Sequence, residues 1–257
     1  MPLDIPARRF DLPSVSYGPF QFLEAVPWLM LAAALRIFAA RQAPAIHVAC
    51  TIVISFAIFL AFLLAARRMI EFADGRTNLG KLSFAQQLGA ASKIVGYIFV
   101  LLFAATVIVF FAGPRGLSLY MLMGLDGMAF DQFSKAGMVW SSILAGVVLL
   151  MVVQIGDGRS VALIGALKEF AKRSVWMISA IALVAGFQLA LHYGQGLVRH
   201  ALISTLMASP MSERLKVTIF FFFVFAFATI RLWGSLVILT FALRESYRRD
   251  APVKEAA

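Results

Sequence analysis

Residues 217–243 form a run of 27 with a single charge, Arg231, and with four consecutive phenylalanines, Phe220 to Phe223. At 1.5 Å per residue this run extends about 40 Å as a helix, more than the roughly 30 Å of a bilayer's hydrocarbon core. A chain containing it is expected to fold around a membrane-crossing helix, with Arg231 deep in the apolar layer. A charge at that depth is costly unless it meets a partner or a wet cavity. Arg231 is therefore the first candidate functional residue.

Four more runs have the same character: 45–66, 94–113, 138–155 and 175–193, none with an Asp, Glu, Lys or Arg. Only 14% of the chain is charged, against about 25% for a soluble domain. The fold class is an all-α, polytopic transmembrane bundle. The net charge of +10 does not point to nucleic acid, because the basic residues lie in short segments beside apolar runs rather than on a binding module. The single cysteine, Cys50, lies in such a run and allows no intramolecular disulfide.

Residues 20–40 are apolar but interrupted by Glu24, Pro27 and Arg36, and three readings stand: a spanning helix, an interfacial or re-entrant helix, and a cleaved signal peptide. With a spanning helix the chain has six spans in three hairpins, preceded by an irregular leader (1–19) and ending in a short tail (250–257); without it there are five. Two amphipathic helices are expected on the inner surface. The first lies in loop 67–93, with Leu79, Leu82, Phe84, Leu88 and Ala91 at helical spacing and Thr77 as N-cap. The second lies in loop 156–174, with Leu163, Leu167, Phe170 and Ala171. Asp74-Gly75-Arg76-Thr77 and Asp157-Gly158-Arg159-Ser160 precede them, which suggests an internal repeat of surface helix and spanning helix. Loop 115–137 is apolar enough to fold back on the outer leaflet, and 194–216 reads as an outer loop.

In the six-span arrangement fifteen Lys and Arg fall on the inner side and seven on the outer, which puts both termini in the cytoplasm of a bacterial-type inner membrane. Glu24 is then the one acid in a span, and an extended arginine side chain brings a Glu24–Arg231 pair within reach, joining the first helix to the last. The bland alternative has Arg231 extending alone toward headgroups beside Trp233. Arg67, Arg68, Arg76, Lys81, Lys168, Lys172 and Arg173 are the expected inner-surface contacts with anionic lipid or a protein partner, although topology alone accounts for them.

Met121, Met123, Met128, His192, His200, Met207 and Met211 are copper-type ligands by chemistry, but no Met-x-x-Met or His-x-His spacing orders them. His47 and Cys50, one turn apart, are two ligands where zinc takes three or four. No metal or cofactor is expected. Phosphate-binding loops, the His-Glu-x-x-His helix and the Gly-x-Ser-x-Gly elbow do not occur. The spans hold no carboxylate pair for proton relay.

The two basic amphipathic helices leading into spans (79–99 and 163–183), with a last span running into Leu243-Arg244-Glu245-Ser246-Tyr247-Arg248-Arg249, give a layout that resembles the six-helix membrane domain attached to some bacterial glycerophosphodiester phosphodiesterases and related membrane proteins. The resemblance implies architecture over about residues 67–249. With no soluble phosphodiesterase domain in the sequence, it transfers no catalytic residue. The expected function is a non-catalytic scaffold, assembly factor or subunit of a membrane complex, its partners lipid and protein rather than nucleic acid. A transporter or channel using Arg231 is the alternative, and a lipid-modifying enzyme a third class.

Overall fold

The computed structural model describes residues 23–40, 42–74, 83–113, 128–130, 134–156 and 160–250, which form seven helices and no strand. In chain order these are α1 (Val26–Ala39), α2 (Pro44–Asp74), α3 (Phe84–Ala112), α4 (Lys135–Gly156), α5 (Leu163–Lys172), α6 (Ser174–Ala208) and α7 (Glu213–Asp250). Five of them, α2, α3, α4, α6 and α7, are long and apolar enough to cross a membrane, which is the architecture of a multi-pass membrane protein. Helix α1 has 14 residues and rises about 21 Å, short of the hydrocarbon thickness. The leader and the carboxy-terminal residues 251–257 lie outside the described residues.

The helices overrun the apolar runs that announce them. Helix α6 continues from the expected span 175–193 through most of the expected loop to Ala208, and α7 starts at Glu213 rather than Val217. Gly194 and Gly196 are weak helix formers with open space where a side chain would stand, yet α6 stays helical through them. The first amphipathic segment is the opening of α3 itself: Phe84–Ala91 runs straight into the span. Its N-cap is Ser83, whose hydroxyl accepts from Gln86 N while the Gln86 side chain accepts from Ser83 N, a capping box. Thr77 and most of the two Asp-Gly-Arg tetrads lie outside the described residues. Helix α5 is separate, as the sequence suggests, and breaks from α6 at Arg173.

Helices α4, α6 and α7 stack antiparallel. The sequence pair Ser142 and Gly146 marks a close approach here: a methyl at Gly146 would lie 3.3 Å from Met177 and 3.6 Å from Ile181 on α6. Gly234 on α7 carries the ring of Phe187, which occupies the space a Cβ would take. The end of α4, the start of α6, α5 and the end of α7 share one side of the bundle, called here the tail face. Tyr97 Oη donates to Val161 O (3.5 Å) and brings the early part of α3 to it. The α6–α7 turn marks the opposite, hairpin face. Helices α1 and α2 meet there in a tight turn, where His47 Nδ1 donates to Ala39 O (3.0 Å) and Cys50 is buried. Helix α4 is the central strut, with 72% of its span buried against 22% for α3 and 28% for α6.

Candidate functional site

Arg231 stands at the middle of α7, 14 residues beyond Val217 and 12 before Leu243, and none of its surface is exposed. Its Nη2 donates to Gln195 Oε1 across the α6–α7 seam at 2.9 Å. Gln195 is on that seam because α6 persists as a helix beyond Tyr193. Two turns nearer the tail face on the same side of α6 is Gln188, fully buried, whose Oε1 is 3.1 Å from the Ser141 hydroxyl of α4. Ser141 also reaches Met138 O (3.0 Å), and its neighbour Ser142 donates to the same carbonyl (2.7 Å). Ser235, one turn beyond Arg231, is buried as well. Among the described residues, Gln188 Nε2 and Ser235 Oγ have no hydrogen-bond partner. A polar thread therefore crosses three helices inside an otherwise apolar bundle.

Glu24 stands two residues before α1. Ala34 and Ile37 of α1 line one groove with Phe221, Val217 and Thr218 of α7. The two helices run antiparallel, so Glu24 and Arg231 both lie on the tail-face side of this groove.

At the tail face a second cluster joins three helices. Arg173 Nε donates to Glu169 Oε1 (2.7 Å) on α5, and its Nη1 donates to Ser246 Oγ (3.0 Å) on α7. Ser246 in turn donates to Leu243 O (2.6 Å). Arg173 is 6% exposed, so its guanidinium works inside the bundle. Lys168 and Lys172 are exposed on α5. Arg67 and Arg68 lie on the tail-face portion of α2, whereas Arg76 and Lys81 lie outside the described residues.

The described sulfur and imidazole candidates differ in their exposure. Met128 is buried, His192 is half-buried, His200, Met207 and Met211 are exposed, and Met121 and Met123 lie outside the described residues. Among the described residues no three His, Cys, Asp or Glu stand close enough to hold a metal.

Sequence reasoning had the position of Arg231 but not its partner Gln195, and it had Gln188 in a span without its bond to Ser141. The signal for both was their spacing of seven on α6, readable once the helix is carried past Tyr193. Comparison of the chain with protein-family models, with curated proteins and with solved structures finds no match.

Proposed function

We propose that this chain is a non-catalytic integral membrane protein, a scaffold, assembly factor or subunit of a membrane complex, in which Arg231 fastens the bundle rather than handling a solute. The carrying observation is the complete burial of Arg231 with its guanidinium on Gln195. An arginine that binds a transported solute needs a face open to a water-filled path. We extend this lock to Glu24, whose carboxylate, on the same side of the α1–α7 groove, supplies the opposite charge and ties the start of the short helix α1 to α7. The basic tail face, with Lys168, Lys172 and the arginines of α2, is then the cytoplasmic side of a bacterial-type inner membrane, where it meets anionic headgroups or a partner.

The test is Arg231→Gln in the full chain. The expected result is a lower melting temperature in mild detergent and loss of a stoichiometrically copurifying subunit. One observation favours transport instead: Gln188 Nε2 and Ser235 Oγ are buried without partners and could line a path for a small polar solute. Unchanged melting and assembly together with abolished solute flux in proteoliposomes would replace the scaffold reading with that one.

A further inference from the structure

Between α1 and α7, near the hairpin face, Ala34 and Ile37 oppose Val217, Thr218 and Phe221 across an open groove of about 290 Å³. Its lining is mostly apolar, and the Thr218 hydroxyl is engaged with Arg214 O (2.9 Å). The volume is at the lower edge of the roughly 300–1,000 Å³ of small-molecule pockets, a size that suits part of an extended chain.

Charge marks one end of this groove. Arg214 precedes Val217, Thr218 and Phe221 by three, four and seven residues, so helical spacing puts it on the same stripe of α7, one turn beyond the groove toward the hairpin turn. It is exposed. Lys216 stands beside it, bridged to Glu213 at 3.2 Å, and Arg36, next to Ile37 on α1, lies over the Phe130 ring with its Cζ 5.3 Å from the centroid. The exposed Arg214 therefore puts a positive charge at this end of the groove, where the apolar run of α7 gives way to polar sequence. A mostly apolar slot ending in a cation at that level is complementary to a phospholipid with an anionic headgroup.

We propose that the α1–α7 groove is a binding site for an anionic phospholipid of the hairpin-side leaflet, one acyl chain lying along Ala34, Ile37 and Phe221 and the phosphate at Arg214. This site is distinct from the basic tail face and independent of the role of Arg231. The test uses the full chain purified into mixed micelles of phosphatidylglycerol and phosphatidylcholine, equimolar and matched in acyl chains, with retained lipid measured by mass spectrometry. One basic residue near the surface corresponds to about a fivefold preference. The wild type should retain phosphatidylglycerol in excess, the basic tail face contributing its own share, and Arg214→Gln should lower that preference about fivefold. Arg199→Gln, which removes an exposed charge on α6 off this stripe, should leave the preference intact. Ala34→Phe fills the groove and should lower retention of both lipids; if that variant unfolds, the exposed Arg214 still decides the matter. Parity in the wild type, a preference unchanged by Arg214→Gln, or equal losses with Arg214→Gln and Arg199→Gln would each overturn the site.

Discussion

A guanidinium with no exposed surface holds its charge only through what it touches, so the neighbours of Arg231 are more sensitive than their polarity suggests. Gln195→Leu removes the acceptor at 2.9 Å and leaves a buried cation short of one bond. We expect a stability loss of about 1–3 kcal/mol, measured by thermal unfolding in detergent, with Gln195→Glu tolerated because it keeps an acceptor and adds the opposite charge. Gly234 is the second sensitive position. A methyl there overlaps the Phe187 ring, which must swing away from the α6–α7 contact, so Gly234→Ala should cost about 1–3 kcal/mol, and Phe187→Ala in the same chain should recover part of it. The depth of Arg231 was legible in the sequence because it needs only the length of an apolar run. Its partner was not, because His192, Gly194, Gln195 and Gly196 read locally as the end of a span. Gln195 meets Arg231 on α7, 36 residues away in sequence, and no window of α6 contains that information.

At the level of elements, the two basic amphipathic segments show how far a periodic pattern reaches. Both carry apolar residues at helical spacing before a span, yet one continues unbroken into α3 and the other forms α5 and turns at Arg173. Periodicity is the same for a helix that continues and one that lies on a surface, so the sequence separates them only through what pins the break. Here the pin is Arg173 between Glu169 and Ser246, the latter 73 residues away. In α3 the corresponding approach holds Lys93, which is exposed, and the helix has no reason to turn. Arg173→Ala should therefore release α5 selectively. We expect a loss of about 1–3 kcal/mol and faster amide exchange over 163–172 than over α4, with Ser246→Ala giving the smaller effect because it leaves the bond to Glu169 in place. Equal exchange in the two segments would show that α5 is held by its apolar face alone.

The whole molecule is long for a membrane. Helix α6 has 35 residues, about 52 Å, and begins beside the amphipathic α5, which sets its first residues at the interface. Even at a steep 40° tilt a core of about 30 Å takes up only about 39 Å of helix, so the end of α6 and its turn into α7, beyond the level of the groove at Val217 and Phe221, stand outside the hydrocarbon. That end is not polar: Met207 is 77% exposed, Met211 42% and Leu215 46%. Lipid tails cannot cover these side chains at that level, whereas they do cover the exposed phenylalanines at the far end of α3. The scaffold reading therefore assigns the tip of the hairpin to a protein partner. Replacing Met207, Met211 and Leu215 together with Gln should leave thermal unfolding of the isolated chain within about 0.5 kcal/mol, since the three are surface positions, yet release the stoichiometric subunit from the complex isolated in mild detergent. Retention of that subunit at full stoichiometry would move the contact to another face, with the lipid-facing side of α3 the next to vary.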